Sequence, residues 1–86
     1  MSYQVQIARA AQKALAAIDR RQRERIEDQI TALGDEPRPH GAIKLSGVDA
    51  YRIRIGDYRV VYTIDDAVRV VSVTNIGNRG SIYRRM

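Results

Sequence analysis

Apolar and polar positions follow two different periods along this chain, and the change of period divides it into a helical first half and a strand-rich second half. Tyr3-Gln4-Val5-Gln6-Ile7 alternates and reads as a short strand with Tyr3, Val5 and Ile7 on one face. Ile7, Ala11, Ala14, Leu15 and Ile18 then recur at helical spacing, with Arg9, Gln12 and Lys13 on the opposite side. Asp19 is placed to cap a second helix, in which Ile26, Ile30 and Leu33 form a narrow apolar stripe and which Gly34 stops. Residues 35–49 contain Pro37, Pro39, Gly41 and Gly47 and keep no period, so they read as a loop. After it, Tyr51-Arg52-Ile53-Arg54-Ile55 alternates strictly, and Tyr58 to Ile64 is rich in strand formers. Gly56-Asp57 between them is a two-residue hairpin signal. Val68 to Ile76 reads as a further strand, after a turn at Asp65-Asp66-Ala67. The order β-α-α-β-β-β predicts an α+β fold, a helical hairpin packed on one face of a mostly antiparallel four-stranded sheet.

A two-residue turn at Gly56-Asp57 fixes the expected register: Ile55 opposite Tyr58, Arg54 opposite Arg59, Ile53 opposite Val60 and Arg52 opposite Val61. Side chains alternate across a sheet, so Tyr51, Ile53, Ile55, Tyr58, Val60 and Tyr62 share the face the helices cover. Arg52, Arg54 and Arg59 share the other. Like charges directly opposite on neighbouring strands cost roughly 0.2–1 kcal/mol, which a sheet built only for stability would avoid. A phosphate over three guanidinium forks would offset that repulsion. The plainer reading is that the arginines spread into water or pair with Asp57, Asp65 or Asp66.

Charge sharpens the picture. The net charge is +5, and residues 1–49 hold 8 Lys and Arg against 7 Asp and Glu, while residues 50–86 hold 7 Arg against 3 Asp and no Lys. The positive potential therefore belongs to the sheet half, in the residue type suited to planar phosphate contacts. The 86 residues leave room for a single domain spanning 1–86, whose active site must share the elements of its one core. No cysteine is present, which excludes disulfides and thiolate metal sites and fits a reducing cytoplasm. The longest apolar run, Ala14 to Ile18, is too short for a membrane span or signal core, so a soluble protein without membrane contact is expected.

The tail Gly77-Asn78-Arg79-Gly80-Ser81-Ile82-Tyr83-Arg84-Arg85-Met86 reads either as a basic end or as a segment returning Arg79 and Tyr83 to the rim of the arginine face. Aromatic residues beside arginine stack splayed RNA bases next to held phosphates. His40 is the only histidine and reads as a surface loop residue. With no second histidine and no carboxylate cluster, neither a metal site nor a cofactor is expected. Gly77-Asn78-Arg79-Gly80 spells the GxxG of KH RNA-binding loops, but it follows a strand instead of joining two helices.

Tyr51-Arg-Ile-Arg-Ile-Gly-Asp-Tyr-Arg-Val-Val-Tyr62 and Ile76-Gly-Asn-Arg-Gly-Ser-Ile-Tyr-Arg84, preceded by Lys44-Leu45-Ser46-Gly47, resemble the RelE branch of the RelE/ParE bacterial toxins over nearly the whole chain. The resemblance implies a RelE-like fold and the toxin of a type II toxin-antitoxin system, with a cognate antitoxin as partner. It implies a toxin that enters the ribosome and cuts messenger RNA without a metal, the ribose 2′-hydroxyl attacking the adjacent phosphorus to leave a cyclic phosphate. By position it assigns catalysis to Arg52, Arg54, Arg59, Arg79 and Tyr83, and RNA contacts also to Lys44, Arg84 and Arg85. Arg59 and Arg79 would stabilise charge on the phosphoryl oxygens. Tyr83 would stack on a base or, with its pKa of about 10 lowered by arginines, act as a base. Relatives often carry lysine where this chain has Arg52 and Arg54, and arginine does not give up its proton, so a base at those positions is not expected.

Two alternatives accompany this expectation. A ParE-like, non-nuclease toxin would bind a protein such as DNA gyrase, and a plain RNA-binding module would hold phosphate and cut nothing. The basic set with Tyr83 favours the nuclease over the ParE-like reading, because the ParE branch generally lacks it.

Overall fold

The structure, a computed structural model, describes residues 2–78. Strand β1 (Gln4–Ile7) leads into helix α1 (Arg9–Ala16), and the joint is held by the Ala8 N–H donating to Val73 O at 2.8 Å and the Gln12 amide donating to Ile7 O at 2.8 Å. Helix α2 (Arg20–Ala32) starts where expected: the Asp19 carboxylate accepts the Gln22 N–H at 3.3 Å, satisfying one of the first-turn donors. Gly34 follows its end for a steric reason. A Cβ there would lie 3.1 Å from Tyr3 O and 3.2 Å from Thr31 O, and the Tyr3 N–H bonds Gly34 O at 2.6 Å.

Strands β2 (Ile43–Lys44), β3 (Tyr51–Ile55), β4 (Tyr58–Asp65) and β5 (Val70–Asn78) complete a sheet in the order β1-β5-β4-β3-β2. β1 runs parallel to β5 and every other pair is antiparallel. The sheet thus has five strands, not the four expected. The added strand lies inside the stretch read as a loop, because two residues are too few to show a period and only their pairing with Tyr51 and Arg52 makes them a strand. The last strand also shifts, starting at Val70 instead of Val68. Arg69 takes a φ of 57°, Val68 stands 66% exposed in the turn, and the Asp65 carboxylate accepts the N–H groups of Ala67 and Val68.

One face of the sheet is covered by both helices. Ala11, Leu15, Ile18, Ile26, Ile30 and Leu33 close over Ile53, Ile55, Val60, Tyr62, Val71, Val73 and Ile76. Between Val61/Asn75 and Tyr62/Val73 the ladder slips by one residue, a bulge at Thr74 whose hydroxyl donates to Val61 O at 3.2 Å. The slip changes which residues of β5 face inward. It places Ile76 in the core and puts Gly77, beside Arg59, on the uncovered side. No helix of the described residues is long and apolar enough to cross a membrane.

Candidate nucleic-acid interface

Gly56 takes a φ of 59° and Asp57 keeps a negative one, the pattern of a type II′ turn with glycine first, whose twist matches the flanking strands. This two-residue turn sets the register Ile55–Tyr58, Arg54–Arg59, Ile53–Val60, Arg52–Val61 and Tyr51–Tyr62, as the sequence implied. Ile53, Ile55, Val60 and Tyr62 are consequently buried under the helices. Arg52, Arg54 and Arg59 occupy the face without helices, Arg54 exposed and the other two half-buried. Arg59 lies between Arg54 on one neighbouring strand and Gly77 on the other.

The same face carries a small apolar group that the alternation did not announce. Val61 is buried with Ala50, and Leu45 packs against both. Its pairing partner is Arg52, so one end of the arginine patch rests beside a water-excluding floor. Lys44 falls elsewhere. It pairs with Tyr51, whose ring belongs to the helix side, and its ammonium lies 4.0 Å from Asp49, away from the three arginines. Arg79, Tyr83, Arg84 and Arg85 lie outside the described residues.

Two of the three acids that could have neutralised this face, Asp65 and Asp66, are engaged elsewhere. Asp66 forms a two-pronged pair with Arg38, Nη2 to Oδ2 at 2.9 Å and Nη1 to Oδ1 at 3.3 Å, and accepts the Tyr3 hydroxyl at 2.6 Å. These hydrogen bonds, Arg38 first and Tyr3 second, hold the Asp66 carboxyl down to about 2, and the same carboxylate raises Tyr3. Asp65 is occupied by its own turn. Among the described residues neither Arg52 nor Arg54 forms an ion pair, and two guanidinium groups so placed present donors to an incoming anion.

Arg38 was not visible as a functional position in the sequence. It also donates to the Tyr51 hydroxyl at 3.1 Å, and its guanidinium carbon sits 5.4 Å from the centre of that ring. Tyr51 stacks on Tyr62 at 5.9 Å, and the Tyr62 hydroxyl donates to Pro37 O at 2.8 Å, with burial pushing Tyr62 up to about 12. The network ties the loop before β2 to β3, β4 and the β4–β5 turn. It fixes the start of β3 at Tyr51, next to Arg52.

Three comparisons with known proteins bear on this geometry. The family of ParE toxins of type II toxin-antitoxin systems matches residues 5–83. The RelE chain of the archaeal RelE-RelB complex from Pyrococcus horikoshii is 33% identical, with 94% of this chain and 99% of that one aligned at a TM-score of 0.84. The isolated E. coli RelE toxin is 27% identical over 98% of this chain and 94% of its own, with a TM-score of 0.79. The intact E. coli RelBE toxin-antitoxin complex gives 28%, 90%, 96% and 0.79 for the same quantities. No curated protein matches significantly.

Proposed function

Because the chain belongs to the RelE/ParE family of toxins from type II toxin-antitoxin systems, we propose that it is an endoribonuclease that cuts messenger RNA on the ribosome and is restrained by a cognate antitoxin. The observation that carries this reading is the set of three arginines on the uncovered sheet face, with two nearby carboxylates engaged elsewhere. In the reaction, the 2′-oxygen bonds to phosphorus as its proton leaves. The bond from phosphorus to the 5′-oxygen breaks, and that oxygen is protonated, giving a cyclic phosphate and a 5′-hydroxyl end. Negative charge grows on the phosphoryl oxygens on the way, and fixed guanidinium groups stabilise it without exchanging protons. Arg59, held between two strands, suits that role, with Arg52 and Arg54 holding the RNA backbone beside it. Arg79 and Tyr83 complete the proposed set from the tail, and Tyr83 stacks on a base at the cut. Arg84 and Arg85 would add backbone contacts. The reading requires neither metal nor cofactor.

A translating extract with a defined message tests it. Cuts between codon positions within stalled ribosomes are expected. Arg59→Ala should lower the cutting rate about 100-fold, and Tyr83→Ala, which removes the stacking ring, should also lose cutting, both at unchanged folding by circular dichroism. Retained cutting in both variants would remove the mechanism. The match to ParE toxins favours a second reading, a protein target such as DNA gyrase. Intact message together with inhibited supercoiling would select it, and RNA binding with neither effect would select a plain RNA-binding module. The RelE relatives solved with RelB support the antitoxin, and co-expression with the adjacent reading frame should relieve growth arrest and yield a co-purifying complex.

A further inference from the structure

At the edge of the sheet, next to the arginine face, lies a cleft of about 340 Å³. It exists because β2 is short. β2 meets β3 only at Lys44–Tyr51 and Ile43–Arg52. Before Ile43 the chain turns away, with Gly41 at a φ of 97° and the Ala42 N–H donating to Pro39 O at 3.0 Å. Among the described residues, β3 past Arg52 therefore has no strand on that side. In an antiparallel ladder a residue directs both main-chain groups to the same neighbour, and alternate residues share that direction. The Leu45 N–H bonds Ala50 O at 2.8 Å, so Ala50, Arg52 and Arg54 turn theirs toward the β2 side. Arg54 is the β3 residue whose N–H and C=O open into the cleft. Its lining includes Gln29 of α2, His40, Ile43 and the two arginines.

We propose that this cleft takes one nucleotide of the RNA adjoining the phosphate held on the arginine face, and that Gln29 and His40 determine which base it accepts. The inference rests on the nuclease reading and adds to it a determinant of sequence preference. Size is the first argument. Ligand sites span about 300–1,000 Å³, so this cleft suits a single nucleotide. Chemistry is the second. Arg52 and Arg54 offer a phosphate their donors, Ile43, 48% exposed, offers a base face an apolar contact, and Gln29, His40 and the Arg54 main chain offer donors and acceptors to a base edge. A peptide strand added at this edge fits less well, because among the described residues of β3 past Arg52 only Arg54 turns its main-chain groups to this side, and strand addition draws its affinity from a row of them.

Titrating the isotope-labelled full-length toxin with each of the four nucleoside 5′-monophosphates, followed by NMR, tests the site without requiring any cut. The Arg54 amide and the His40 ring should shift saturably and to different extents for different bases. Gln29→Ala and His40→Ala should each shrink the spread of affinities among the bases by about 2- to 10-fold, the worth of one hydrogen bond. The proposal is overturned if those two signals stay still while the Arg59 side chain responds, or if all four nucleotides act alike and neither substitution matters. It is overturned in favour of a peptide if an antitoxin protects the Arg54 amide from exchange and no nucleotide moves it. Message cutting separates the two levels. Base-selective shifts without cutting leave the cleft standing and remove the nuclease, whereas cutting whose sequence profile survives both substitutions removes the cleft alone.

Discussion

Arg54 and Arg59 face each other across a non-bonded pair of the hairpin, and a protein under pressure for stability alone would keep such a pair apart. Arg54→Thr removes the repulsion and supplies a good strand former. It should stabilise by about 0.2–1 kcal/mol, which for a domain of this size raises Tm by about 1–8 °C. RNA affinity should fall in the same variant, and calorimetry beside a binding titration checks both directions. Asp66 gives a second residue-level expectation. Its folded-state carboxyl lies at about 2 against an ordinary 3.8, so the ionised form favours the folded state. That contribution is complete above pH ~4 and is lost as pH falls toward ~2. Denaturation midpoints measured across that window should drop in the native protein and drop less in Asp66→Asn. The pair is exposed, so added salt should shrink the difference.

At the level of elements, what could be read ahead was whatever a local period or turn encodes. Strict alternation at Tyr51–Ile55 and a glycine-led turn sufficed to place every residue of the hairpin on its correct face. The Asp19 cap was equally local. Three features were not local. β2 consists of two residues that become a strand only by meeting β3. The bulge at Thr74 adds a residue in a run of strand formers that gives no sign of it, and it decides that Ile76, not Asn75, faces the core. The Arg38–Asp66–Tyr3 cluster joins residues as many as 63 positions apart, beyond the reach of any periodicity. Gly34 belongs with these: its role as a stop was visible, while the backbone of Tyr3, just before β1, pressed against it was not. Gly34→Ala should therefore cost more than helix propensity suggests, about 1–3 kcal/mol, because the crowding atoms are main-chain oxygens that cannot swing aside. A urea titration gives the value.

Across the whole molecule, charge is divided between a nearly neutral helical layer and a basic sheet half. If three arginines displace counterions from single-stranded RNA, the logarithm of affinity should fall against the logarithm of salt with a slope of about −2, and each arginine removed should flatten it by about 0.7. A slope that Arg52→Ala, Arg54→Ala and Arg59→Ala all leave unchanged would mean the RNA rests on another surface. The parallel pairing of β1 with β5 bears on how the molecule comes into being. Gln4 must wait for Val70 before it has a neighbour, and β5, the inner strand that accepts it, also carries Val71 and Val73 of the core. A nascent chain that has emerged only through the arginine hairpin has its cationic residues but no closed architecture to aim them. Maturation is thus deferred until β5 has been made, and long-range closure of this kind slows folding.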